Sequence, residues 1–138
     1  MGGADRDSYG MDKQHKPILI LEDNDEWRML LTMVLAKRGL QVVGLAGDPG
    51  PAYAWSQYGL VLCDWMMGSG GDPVWLLRRS LLPLDPAERP AFAVMSVLEE
   101  RKLQLVLEPL RAETGLPIPY VDKTWPMARL VNAIRDCV

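Results

Sequence analysis

The sequence predicts an α/β protein: one doubly wound domain, with a parallel sheet between two layers of helices. Three observations carry that expectation. Short, continuous apolar runs recur along the chain, as strands buried on both faces require. Each run is followed by apolar residues at helical spacing, so strand and helix alternate five times. The chain has 138 residues, 49% hydrophobic and 24% charged, which suits a single globular domain with one core.

Residues 1–16 mix charges with Gly, Ser and Tyr without a period and read as a flexible tail before a domain over 17–138. The lone histidine, His15, falls in that tail. Strand 1 is the run Ile-Leu-Ile-Leu over 18–21, which ends abruptly in acid. Asn24 or Asp25 caps the helix that follows. In it Trp27, Leu30, Leu31, Val34 and Leu35 recur at helical spacing, and Gly39 ends it. Strand 2 is expected over 40–46, a turn over 47–51 and a short helix over 52–57. Strand 3 covers 60–63 and runs into Asp64. A loop over 67–71 carries Gly-Ser-Gly-Gly, which should be unusually mobile.

Asp72 caps and Pro73 opens a helix to about Leu82. A loop over 83–90 leads to strand 4 over 91–96. Residues 98–113 are helical in pattern, with Pro109 expected to kink or end them. There Leu103, Val106, Leu107 and Leu110 form the core face, and Leu98 and Leu105 lie seven apart on another face, as ordinary surface leucines or as a patch that meets a partner or a second copy. Strand 5 is expected over 118–121. Trp125 or Pro126 opens the last helix, with Met127, Leu130, Val131 and Ile134 on one face.

Charge and composition exclude several classes. Fifteen Lys and Arg against eighteen Asp and Glu give a net charge of −3, so bulk electrostatics do not hold nucleic acid. No apolar run reaches the ~18 residues of a membrane span, and the start has no signal-peptide pattern. Cys63 and Cys137 are too few for a disulfide framework or a zinc site. A reducing, cytoplasmic setting is the expectation.

In a parallel α/β sheet the site lies at the carboxyl ends of the strands. Strand 1 ends at Glu22 and Asp23, strand 3 at Asp64, strand 4 at Ser96, and Lys123 follows strand 5. Three carboxylates converging on one rim repel each other and call for a cation. Oxygen-only donors suit Mg²⁺. Lys123 can pair with Asp64 or with a phosphoryl oxygen, and Ser96 can hydrogen-bond another. The set fits phosphoryl transfer to a carboxylate. Singly, these residues have plainer readings: strand-end aspartates cap helices, Lys123 is a surface lysine, Tyr120 a packed strand residue. Trp27, Trp55, Trp65, Trp75 and Trp125 read as core or rim packing, with Trp65 beside the site. Cys63 reads as an inert neighbour.

The stretches ILILEDN (18–24), LVLCDWMM (60–67), AFAVMS (91–96) and PYVDK (119–123), in this order, resemble the receiver domain of two-component response regulators. The resemblance covers residues 17–138. It implies a flavodoxin-like (βα)5 sandwich with strand order 2-1-3-4-5. It makes Asp64 the phosphoacceptor, Asp23 a direct Mg²⁺ ligand, Glu22 a water-mediated one and the Met66 carbonyl another. Ser96 becomes the switch hydroxyl, Tyr120 the switch aromatic and Lys123 the family lysine. The chain would then be a signalling receiver and not an enzyme, assisting its own phosphorylation. Its partners would be a sensor histidine kinase or phosphotransfer protein and a downstream protein, with a homodimer possible. Its output face would join the helix over 98–113, strand 5 and the last helix. The family's lifetime-tuning positions are Met66 and Leu98 here, both apolar, which implies slow self-dephosphorylation.

The sequence departs from the family at three places. Gly68 stands where Pro is usual. Val97 replaces a small residue and narrows phosphoryl access. Thr124 follows Lys123 where the family has a cis proline, and without proline a cis bond costs ~2.5–4 kcal/mol, so a trans bond is expected. These departures keep open a second reading, a degenerate receiver that binds partners without phosphorylation. A phosphatase with an Asp nucleophile would want an acid two residues after Asp64, where Met66 stands. A flavodoxin-like electron carrier would want a phosphate loop after strand 1, which is missing.

Overall fold

The computed structural model describes residues 16–138; residues 1–15, with most of the predicted tail and His15, lie outside them. Five strands form one parallel sheet in the order β2-β1-β3-β4-β5. They are β1 (Ile18–Leu21), β2 (Val42–Leu45), β3 (Leu60–Asp64), β4 (Ala91–Ser96) and β5 (Tyr120–Asp122). Every residue of β1 and β3 is buried, as their unbroken apolar runs require of central strands covered on both faces. The edge strands β2 and β5 are less covered.

The two faces of the sheet divide the core. Ile18, Ile20, Leu60, Leu62, Ala93 and Met95 pack under α1 (Asp25–Lys37) and the last helix, whose buried residues are Leu31, Leu35, Leu130, Val131 and Ile134. Leu19, Leu21, Val61, Cys63, Phe92 and Val94 face the other way. There they meet α2 (Pro73–Leu76) with its wider, π-helical continuation Leu77–Leu81, and α3 (Glu100–Thr114). The last helix is α4 (Met127–Asp136). Caps fall where the side chains allow: Asn24 accepts from Trp27 N, and Asp72 accepts from Val74 N with Pro73 behind it.

The fold departs from the sequence expectation in several places. No α-helix forms over 52–57. Only one 3-10 turn, Trp55–Gln57, links β2 to β3. Aromatic packing covers the sheet there instead. Tyr53 and Tyr58 stack at 5.9 Å with their hydroxyls 2.5 Å apart, and Trp55 meets Tyr53 edge-on at 5.4 Å. Strand β5 starts two residues late because Ile118 has φ +34, which no strand admits. The Arg111 guanidinium holds that turn by donating to the carbonyls of Pro117 and Ile118 at 2.8 Å.

Helix α3 runs through Pro109. Pro109 and Leu105 are both exposed, so the carbonyl that proline leaves unpaired is open to water. Leu30 and Val106, expected in the core, are exposed, whereas Leu98 packs against the core beside α3 and does not share a surface patch with Leu105.

The Gly-Ser-Gly-Gly loop is tied down. Met67 before it is fully buried, and Asp48 N donates to Gly70 O at 2.8 Å. The turn after β2 approaches so closely that a Cβ on Gly47 would lie 2.6 Å from the Gly70 oxygen. Gly47→Ala therefore requires a backbone shift, and should lower stability by about 1–3 kcal/mol. Thermal unfolding checks this, and an unchanged midpoint would contradict the contact.

Candidate functional site

Parallel register brings the five candidate residues to one edge. Glu22 and Asp23 follow β1, and Glu22 N donates to Leu45 O at 3.0 Å. Asp64 closes β3 in register with Met95, and Ser96 closes β4 in register with Asp122. Lys123 follows directly, its N–H donating to Ser96 O at 2.9 Å. Residues 101 apart in sequence, Glu22 and Lys123, are thus placed in contact.

The Lys123 ammonium donates to Glu22 Oε1 and lies 3.2 Å from Asp64 Oδ1. Carboxylate oxygens of Glu22, Asp23 and Asp64 all lie within 4.8 Å of one another. Glu22 is fully buried, Asp64 nearly so, and Asp23 is exposed. Asp64 Oδ1 also accepts from Met66 N at 3.3 Å, and Glu22 Oε2 from Asn24 N at 3.2 Å. Burial pushes Glu22 up to about 7; the Lys123 hydrogen bond opposes this and neighbouring Asp64 adds to it. One ammonium among three carboxylates leaves an excess of negative charge. The donors are all oxygen, and the set fits a hard divalent cation such as Mg²⁺.

Around this centre the other predicted residues take distinct places. Ser96 is buried, and its Oγ accepts from Leu98 N at 3.0 Å in a short turn, leaving its proton free to donate. Tyr120 is half-buried with its ring 5.7 Å from that of Trp125. Burial, and then the Glu100 carboxylate, raise its hydroxyl above the usual value. Met66 and Val97 stand at the rim, each 63% exposed. Trp65 is half-buried beside Asp64, whereas Trp75, expected in packing, is exposed. Cys63 is buried, and burial drives its thiol well up, which keeps it protonated.

Two departures acquire a local reason. Gly68 has φ +58 and lies against Asp23, a conformation closed to proline. The Lys123–Thr124 bond is trans. Thr124 replaces the constraint of a proline by donating its N–H and hydroxyl to Asp122 Oδ1, at 2.8 and 2.6 Å. The sequence reading missed two neighbours. Arg28 Nη1 donates to the Glu22 carbonyl at 2.7 Å, and the Trp27 ring lies 5.8 Å from Lys123 Nζ. Their only sequence signal is a position in the first turn of α1, directly after the acidic pair.

No family model matches the sequence, and no curated protein does. Solved structures do match. The response regulator signal receiver domain from Bermanella marisrubri is 24% identical with a TM-score of 0.68, over 92% of this chain and 98% of that one. The BeF3-activated N-terminal receiver domain of Klebsiella pneumoniae RstA is 26% identical with a TM-score of 0.68, over 88% and 97%. A response regulator receiver protein from Pseudomonas putida is 19% identical with a TM-score of 0.64, over 88% and 97%. The chain has the flavodoxin-like fold of response regulator receiver domains.

The charge excess predicts a metal response. Mg²⁺ at a hundredfold excess over its Kd should stabilise the fold by about 2.7 kcal/mol, read as a rise in unfolding temperature. Asp23→Asn and Asp64→Asn should each lose most of that rise. An equal rise in all three proteins would contradict a site made by these carboxylates.

Proposed function

We propose that this chain is the phosphoacceptor receiver of a two-component or phosphorelay system, phosphorylated on Asp64. The observation that carries the reading is the acidic cluster of Glu22, Asp23 and Asp64 with the Lys123 ammonium between two of its members. An Asp64 oxygen attacks the phosphorus of the donor. The new bond is P–O to Asp64, and the bond that breaks is P–N to the imidazole of a histidine kinase or phosphotransfer protein, or P–O to a small phosphodonor. The electron pair leaves with the donor. Asp23, Asp64 and the Met66 carbonyl would hold Mg²⁺ directly and Glu22 through water, and the ion would supply positive charge against the phosphoryl oxygens. Lys123 exchanges its contact with Asp64 for one with a phosphoryl oxygen, and Ser96 donates its free proton to another.

The product carries about −1.5 to −2 charge, by analogy with phosphorylated hydroxyl residues. Lys123 and Ser96 turn toward the new charge, Tyr120 changes its packing, and the α3–β5–α4 face shifts its population of states. Output then runs through protein contact with a downstream partner or a second copy. In this reading the chain is a signalling protein of the cytoplasm and not an enzyme. The described residues hold no helix long and apolar enough to cross a membrane, and the net charge of −3 gives no basis for direct nucleic-acid binding.

A second reading is an interaction module that works without phosphorylation. The specific observations that favour it are Val97 at the rim and the trans Lys123–Thr124 bond. Intact mass after incubation with Mg²⁺ and a small phosphodonor separates the two. The receiver reading expects one added phosphoryl group that Asp64→Asn lacks; no addition, with either donor or kinase and with the fold intact, favours the module.

Apolar Met66 and half-buried Leu98 leave no side-chain hydrogen-bonding group at those two positions to orient an attacking water. The phosphorylated protein should therefore lose its phosphoryl group over minutes or longer once donor is removed. Decay within seconds, followed by the same mass measurement, would contradict this.

A further inference from the structure

We propose that Trp27 is a positioning residue for Lys123, its indole face seating the ammonium that must move between carboxylate and phosphoryl oxygen. The inference rests on the receiver reading for its functional consequence, and on geometry for its premise. Lys123 Nζ lies 5.8 Å from the centroid of the Trp27 ring, within the reach of a cation–π contact, for which tryptophan offers the strongest face. The lysine side chain is only 15% exposed, so little water competes for that charge.

Two further observations converge on the same ring. Its Nε1 is buried and finds no hydrogen-bond partner among the described residues. A buried orphan donor is unfavourable and calls for a reason, and a phenylalanine or leucine would fill such a place without one. What tryptophan alone adds is the larger, more negative face. The backbone of Trp27 is also part of the turn that holds the acidic pair: Trp27 N donates to Asn24 Oδ1 at 2.9 Å, and Asn24 N donates to Glu22 Oε2 at 3.2 Å. Lys123 therefore rests on one hydrogen-bonded unit at two points, the Glu22 carboxylate and the Trp27 face.

The two points do different things. Glu22 holds the ammonium by a directed hydrogen bond, while the contact with Asp64 is the one exchanged for a phosphoryl oxygen. The Trp27 face is neutral and non-directional, so it stays in contact while the ammonium moves. Trp27 also packs against the core under α1 together with Trp125 and Met127, so the test must separate seating from packing.

The test is a double-mutant cycle on the rate of phosphorylation by a small phosphodonor with saturating Mg²⁺, read by intact mass. Trp27→Leu should slow the reaction roughly threefold to tenfold, and Trp27→Phe should fall between it and the parent protein. In a Lys123→Met background Trp27→Leu should have no further effect. Equal slowing in both backgrounds, or none in the parent, would overturn the proposal. A parent protein that takes no phosphoryl group would instead sink the receiver reading. The premise is then decided by NMR of the unphosphorylated chain. The Lys123 ε-methylene protons should lie upfield from the indole ring current and return on Trp27→Leu; an ordinary position in the parent protein would overturn it, whether or not the variant folds.

Discussion

The ion pair between Lys123 and the buried Glu22 is the constraint on which the edge of this molecule depends. Removing a carboxylate from water is costly unless a charge meets it, and here the charge arrives from the far side of the sheet. For Lys123 to reach Glu22, β5 must pair with β4 and β4 with β3, and β3 with β1, each in one register. A slip by one residue would send every side chain of a strand to the opposite face. The same register that sorts the core into its two faces therefore also assembles the site, and the apolar runs fix both.

The pair leaves the site unbalanced in a useful way. Lys123 answers Glu22 and reaches Asp64, but the third carboxylate, Asp23, is exposed and the cluster keeps a negative excess. Burial raises Glu22 to about 7, and the neighbouring Asp64 adds to the effect. In the proposed reading a divalent cation would relieve that excess, and Asp64 would then act as a nucleophile toward a group that is itself anionic, with Lys123 within reach of its oxygens. The proposed chemistry follows from this charge arithmetic more than from any single residue.

Much of this was legible before any coordinates. Runs such as Ile18 to Leu21 and Ala91 to Ser96 have no polar alternation, and buried parallel strands leave few other readings for them. The acids at the ends of two such runs, with Ser96 and Lys123 after two others, already implied a common rim. What stayed hidden depends on tertiary geometry. Nothing local says that Tyr53, Trp55 and Tyr58 will cover the sheet in place of a helix, because their stacking is made only once β2 and β3 are paired. Helical spacing gave α1 and α3 a wider apolar stripe than the sheet touches, so Leu30 and Val106 stand exposed while Leu31 and Leu107 are buried. Ile118 reads as a strand residue until Arg111 folds back on its carbonyl, and the packing of Trp27 against the core does not by itself say that Lys123 arrives beside it.

The central claim is that Asp64, its acidic neighbours and Lys123 together form a seat for a phosphoryl group. Fluorine NMR with Mg²⁺ and beryllium fluoride, a carboxylate-bound mimic of that group, tests it without a kinase. Bound fluorine resonances should appear that require Mg²⁺ and vanish in Asp64→Asn. A folded protein that shows only free fluoroberyllate at saturating Mg²⁺ would contradict it.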